Sequence, residues 1–257
     1  MSKMQHIDAS SLSTHLPSRI TYLQSFVAFT PSTDGELITS LKPVLAPLLP
    51  GLLDAIYTHL LSYDVTAASF MPAQESLSAD GKAGSAETEV TSLNLQHANI
   101  KHRQDFLRAY LIRVLGNRDW SPESGFWRYL DNVGSVHTGK RQTKNKTKLR
   151  VELVHILALM AWLQNQIVTV VMGLEEGAGE GGWTVERKTE VVKAFSRFWW
   201  IQSDLFARHY CEEQDGSSVA KGKTFGLEKE QTRLVVACVL GVTAGFGLAS
   251  SFSSFLS

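Results

Sequence analysis

Apolar residues recur along most of this chain at intervals of three and four, while runs of strict apolar–polar alternation are hard to find. The pattern predicts an all-helical protein. A first helix is read over Pro17 to Phe29, with proline in the first turn and Ile20, Leu23 and Val27 along one face. A second begins at the capping residues Ser32, Thr33 and Asp34. It stops before Pro43, Pro47 and Pro50, because an interior proline removes a backbone donor and clashes with the preceding turn. Gly51 to Tyr63 carries a wide apolar stripe of Leu52, Leu53, Ile56, Tyr57, Leu60 and Leu61 and makes a third helix. Residues 72–89 hold mostly Ser, Ala, Gly and Glu and read as a loop with little to bury. A long helix is expected from Val90 to Leu115, with Gly116 and Asn117 as its stop. The next opens at Ser121, Pro122 and Glu123 and reaches Val136.

Thr138 to Lys148 is a basic stretch without one acid, expected to be a solvated loop, since no aromatics are interleaved for bases to stack on. Leu149 to Leu174 has no charged residue between Glu152 and Glu175 and would span roughly 39 Å as a helix. That length suits a membrane span. His155 and the run Gln164, Asn165, Gln166 would be costly in hydrocarbon, which favours a buried core helix instead. An acidic, glycine-rich stretch over 175–182 leads to the last long helix, Thr184 to Cys211, bearing Val191, Val192, Phe195, Phe198, Trp199, Leu205 and Phe206.

The tail differs from the rest. Leu234 to Leu256 is 23 residues long without a charge, the length a bilayer core asks of a helix. It reads as a C-terminal membrane anchor; its small residues Gly241, Gly245, Gly247 and Ala249 keep an extra buried helix as the alternative. The expected organisation is therefore a flexible N-terminus (1–16), a helical domain (17–212), a polar linker (213–233) and a hydrophobic tail (234–256).

Composition narrows the functions. With 44% hydrophobic residues in 257 the chain can build a sizeable core, and 25 basic against 25 acidic residues give no excess for gripping phosphates. No nucleic-acid partner is expected. Two cysteines, Cys211 and Cys238, cannot make a disulfide framework or a thiolate zinc site alone. The N-terminus lacks the apolar stretch of a secretory signal and carries Asp8, which points to the cytosol. No His-Glu-x-x-His pair, Gly-x-Ser-x-Gly elbow or phosphate-cradling glycine loop is present, so no catalytic residue is assigned.

What remains is a helical domain with many aromatics and eight scattered histidines, a makeup that suits a haem pocket. A lone histidine is usually structural: His6 and His15 fall in the N-terminus, and His209 near a helix end where its charge would favour the dipole. His137 has a different context. It closes a helix carrying Phe126, Trp127, Tyr129, Leu130 and Val133, and Leu130, Val133, Gly134 and His137 share a face. The basic stretch follows at once, so one corner could serve an iron and the two carboxylates of a haem together.

The run Tyr129 to Lys140, with glycine three residues before the histidine and a long apolar helix after the basic stretch, resembles the proximal region of protoglobins and of the globin domains of globin-coupled sensors. Leu53 to Tyr57 is similar to the family's B helix with its distal tyrosine, Arg103 to Leu111 to its E helix, and Phe198 to Gln202 to its closing H helix. The resemblance covers about residues 17–212 and implies a globin-like all-α fold with an additional N-terminal helix, to which the C-terminal hydrophobic helix is appended. It implies haem b, with His137 as the iron ligand, Tyr57 donating to a bound gas on the distal side, and Phe106 packing over the ring. His102 lies one turn before Phe106, where the family usually has an apolar residue. A register one turn on would make Tyr110 the packing residue instead. Met160, with His155 and Leu157, would line or back the pocket.

The function so implied is reversible binding of dioxygen, carbon monoxide or nitric oxide, at an intracellular membrane reached through the tail, with the globin domain facing the cytosol; a homodimer is compatible with it. Two alternatives stay open on sequence: a haem redox enzyme such as a nitric oxide dioxygenase fed by an external reductase, and a helical scaffold without haem.

Overall fold

The structure is a computed structural model that describes residues 4–70, 93–142, 148–177 and 182–218, with backbone alone at 140–142, 148–149 and 212–218. The chain is helical, as its periodicity predicts. The readings of a loop over 72–89 and of a membrane anchor over 234–256 lie outside the described residues.

The segment expected to be a flexible N-terminus carries a short helix, α1 (Ala9–Thr14), capped by the Asp8 carboxylate on the Ser10 N–H. Two arginines hold it: Arg19 donates to the Leu12 carbonyl at 2.9 Å and Arg208 to that of Ser13 at 2.9 Å. The first predicted helix is α2 (Leu16–Phe26), which ends three residues early. Phe29 N–H bonds back to the Gln24 carbonyl and Ala28 N–H to that of Ser25, a Schellman closure that places Ala28 at φ 56°.

The proline-rich stretch kinks the helical chain without interrupting it: α3 (Pro31–Ser40), α4 (Lys42–Leu45), a 3₁₀ turn (Ala46–Leu48) and α5 (Leu49–Leu61) follow one another directly. Each proline sits in the first turn of its piece, where its missing N–H costs nothing. A short α6 (Asp64–Ala67) follows, and the long α7 starts only at Ala98 and runs to Leu115. Asn94 takes the Gln96 N–H in a turn and His97 caps the helix, so the chain is not helical from Leu93 to His97, within the span predicted from Val90.

Helix α8 (Gly125–His137) starts later than predicted because Asp119 captures both the N–H and the hydroxyl of Ser121, fixing a turn before it. The basic stretch read as a loop is framed by two short antiparallel strands, β1 (Thr138–Gln142) and β2 (Lys148–Arg150), with Thr138 opposite Arg150. The two remaining helices are α9 (Leu153–Met172) and α10 (Val185–Ser218).

Helix α9 is a core helix on one stripe only: Ile156, Met160, Leu163, Ile167 and Val171 are buried at helical spacing, while Val154, Leu157 and Met172 are exposed. Helix α10 is the hub of the unit formed by residues 1–211. Arg19 of α2 reaches its Asp204 through two bonds of 2.5 and 2.7 Å, and its Arg197 pairs with buried Asp34 of α3 at 2.9 Å. Tyr110 of α7 donates to its Gln202, and Gln164 of α9 to its Ser196 at 3.3 Å. The core against it is aromatic. Trp120 packs edge-on to Phe126 at 5.0 Å and Phe198 at 5.5 Å, and its backbone carbonyl accepts from Gln24 and Trp127.

Candidate functional site

The site is built where α8 ends against α10. Gly134 lets them approach closely, since a Cβ there would lie 2.8 Å from the Leu205 carbonyl oxygen and 3.0 Å from the Phe206 Cα. One turn later, His137 lies with its ring 5.5 Å from that of Phe206. The helix stops at His137 because its carbonyl leaves the helical ladder: it accepts from the Val151 N–H at 2.9 Å and the Tyr210 hydroxyl at 3.2 Å. Gly139, at φ 77°, lies within β1, in the stretch between Thr138 and Gln142 where the pairing with β2 shifts register.

His137 Nδ1 lies 2.7 Å from the Val133 carbonyl oxygen, so Nδ1 carries the proton and donates. Nε2 is left with its lone pair and has no hydrogen-bond partner among the described residues. Burial pushes the imidazole pKa down, with Val133 working against it and Arg103 adding to it, so the ring is neutral. A neutral imidazole with its second nitrogen fixed by a carbonyl is how histidine ligates a metal. No group of three or more His, Cys, Asp or Glu side chains that could hold an ion occurs among the described residues. A single histidine suits an iron that arrives with four ring nitrogens of its own, and the residues present fit a haem.

Tyr57 on α5 is 5% exposed, with its ring 5.6 Å from that of Phe70. Its hydroxyl has no hydrogen-bond partner among the described residues, although buried tyrosines usually find one. Burial raises its pKa far above the ordinary value, and the Arg103 charge opposes this. The phenol therefore stays a donor.

Met160 is buried, and its sulfur accepts from Ser203 at 3.4 Å, one turn of α10 before Phe206. His155 is half-buried on the same helix, while Leu157 is exposed. The two α7 residues read as pocket-facing are not brought to this site. Phe106 is 58% exposed and His102 is exposed, their rings packed edge-on to each other at 4.7 Å on the outer face. The inner stripe of α7 is Ile100, Arg103, Leu107, Tyr110, Leu111 and Val114. It is set one residue from the expected register because the apolar stripe that meets α5 decides the phase. Tyr110 lies on the inner face as the alternative register had it, bonded to Gln202 and stacked on Tyr129 at 6.5 Å.

The residue that sequence reasoning passed over is Arg103. It is a half-buried cation whose field acts on both Tyr57 and His137. The signal was a lone cation on an otherwise apolar stripe.

His209 is not near a helix end, because α10 runs on to Ser218; its Nε2 lies 2.9 Å from Asp131, which Arg208 also reaches at 3.2 Å. His15 caps α2, and His59 stacks on Trp162 at 5.0 Å. A small hollow walled by Leu45, Leu49, Tyr110, Val114, Ile167 and Trp199 includes neither His137 nor Tyr57 in its lining.

Comparison with known proteins agrees with this architecture. The chain superposes on the globin domain of the Geobacter sulfurreducens globin-coupled sensor with a TM-score of 0.51, at 15% identity, covering 74% of this chain and 96% of that one. No curated protein matches it in sequence. The family model for protoglobin matches residues 16–215, and the chain belongs to the protoglobin family.

Proposed function

We propose that the chain is a haem-binding globin that takes up dioxygen reversibly, with carbon monoxide and nitric oxide as further ligands, and that it works in gas sensing or binding rather than catalysis. The observation that carries this reading is His137: a neutral imidazole at a helix end, its Nδ1–H held by the Val133 carbonyl and its Nε2 lone pair unused. Haem b, when bound, supplies an iron with four ring nitrogens and an open position for a diatomic gas. His137 Nε2 would hold the iron, and the fixed tautomer keeps the ring ready without a proton to lose. The Tyr57 hydroxyl, buried and without a partner among the described residues, would donate to the negative end of a bound gas. Met160 with Ser203 supports this reading as packing near Phe206. The residues 234–256, proposed as a membrane anchor, would leave the globin domain in the cytosol.

The test is a titration of the full chain, kept in mild detergent, with haemin and then dithionite and carbon monoxide. A Soret band that shifts on reduction and again with carbon monoxide is expected. In His137→Gly the band is lost or displaced, and added imidazole restores it. A wild-type chain that is helical by circular dichroism and develops no Soret band overturns the reading, as does an unaltered spectrum in His137→Gly.

A further inference from the structure

The basic stretch after His137 has no part in the proposed gas binding. Thr138 to Arg150 holds six cations and no acid, while the whole chain is balanced at 25 basic and 25 acidic residues, so the rest carries an acidic excess of six. Four of the cations lie on the paired strands, Lys140 and Arg141 on β1, Lys148 and Arg150 on β2. The base of this ribbon is fastened to the domain. Thr138 is buried with its hydroxyl on the Ser135 carbonyl at 2.8 Å, the Val151 N–H donates to the His137 carbonyl at 2.9 Å, and the Tyr210 hydroxyl of α10 donates to the Val151 carbonyl at 2.5 Å. The pairing sets Thr138 opposite Arg150 and Gln142 opposite Lys148, which draws four like charges into one small area. Like charges on paired strands repel. Charge keeps exposed strand edges from sticking to one another, but interspersed signs serve that end without the repulsion. The first carboxylate after the ribbon, Glu152, meets Arg150 at 3.3 Å with both side chains 60% exposed, a pair worth little.

Exposed apolar surface adjoins this charge. Helix α9 starts at Leu153, directly after the ribbon, and holds no Asp, Glu, Lys or Arg along its length. Val154 is 65% exposed and Leu157 38%, and the exposed Ala158 and Ala161 continue their stripe at helical spacing. Cations beside exposed apolar side chains match a bilayer surface, where anionic headgroups overlie hydrocarbon. We propose that the ribbon of β1 and β2 and the first turns of α9 dock the domain on an anionic phospholipid surface, with Lys140, Arg141, Lys148 and Arg150 among the headgroups and Val154 and Leu157 at the acyl boundary. A second copy meeting the same patch in a symmetric pair would set these cations against one another. A nucleic acid would find no aromatic side chain between Thr138 and Arg150 to stack on. The two carboxylates of a haem would engage only part of the charge. This contact forms with or without haem and with or without insertion of residues 234–256, and it turns the His137 end of the domain toward the membrane.

The experiment uses the full chain with Cys211→Ser and Cys238→Ser, carrying an environment-sensitive fluorophore on Val154→Cys or, in a second preparation, on Phe26→Cys of α2, where Phe26 is exposed. Each is mixed with vesicles of phosphatidylcholine alone, which give the baseline set by the uncharged tail, and with vesicles containing about 30% phosphatidylserine. On the anionic vesicles the Val154 label is expected to shift to the blue and to lose about fivefold of its quenching by aqueous iodide, while the Phe26 label is unchanged. Joint replacement Lys140→Gln, Arg141→Gln, Lys148→Gln and Arg150→Gln, with an unaltered helical circular dichroism spectrum, returns the Val154 label to the phosphatidylcholine baseline. Salt at about 0.5 M does the same without any substitution, because it screens exposed charge. A Val154 label that stays open to iodide on anionic vesicles overturns the proposal. Equal shielding on both kinds of vesicle overturns it too, since the cations would then contribute nothing. Shielding of Val154 without vesicles assigns the stripe to a second copy of the chain and likewise overturns it.

Discussion

Ala28 sits at φ 56° in the closure of α2, a conformation in which a Cβ crowds the following carbonyl. Replacing it with glycine removes that crowding and adds freedom to the unfolded chain, two effects of opposite sign. The first is the larger, so Ala28→Gly is expected to stabilise by about 0.5–1 kcal/mol. A higher urea midpoint with an unchanged slope checks this, and a lower midpoint refutes it. The same scale shows how the site was and was not legible. His137 stood out because it closes an aromatic helix three residues after a glycine, a local signal. Arg103 did not, because two adjacent positions, 102 and 103, lie about 100° apart on a helix, and only the packing of α7 decides which of them faces in.

At the scale of elements, the approach of α8 to α10 sets the position of His137 against Phe206. The two atoms nearest a Cβ at Gly134 belong to the α10 backbone, which cannot swing aside as a side chain can, and the His209 ring follows at 3.3 Å. Gly134→Ala should therefore part the helices and cost about 1–3 kcal/mol, the usual range for overpacking. Gly125→Ala is the control, since its nearest neighbour is the Arg128 guanidinium at 3.6 Å. Thermal melts of the two variants should diverge, with Gly134→Ala well below wild type and Gly125→Ala at or above it; equal melts would show that α8 and α10 have slack between them. Helix existence was readable at this scale, and helix ends were not. The starts of α7 and α8 are set by Asn94 and Asp119, whose side chains take nearby N–H groups and hold turns where the periodicity alone allows helix.

At the scale of the molecule, burial of tyrosines makes stability depend on pH at the alkaline end. Tyr57, Tyr110 and Tyr129 all have pKa values raised by burial above the ordinary value of about 10. In the unfolded chain these phenols ionise near that value, while in the fold they keep their protons, so the folded state binds more protons above it. Their contribution is complete below about pH 10 and is lost as pH rises beyond. Guanidinium unfolding between pH 8 and 11 should show a plateau and then a fall. Tyr57→Phe should make the fall shallower without other loss, because its hydroxyl has no partner among the described residues. A decline of unchanged slope in Tyr57→Phe would place that phenol in water.

Sequence by itself determined the all-helical class, the closing position of His137 and the buried place of Tyr57, since each follows from spacing within a turn or two. Tertiary structure alone decided that Arg103 rather than His102 faces inward, that Phe106 lies in solvent, and that Asp131 holds His209 on α10. The physical reason is one of range. Backbone preferences and helical periodicity act over a few residues and fix which elements form, whereas the rotation of a helix about its axis, and the partner of a charge far along the chain, come only from burying the stripes of several helices against one another.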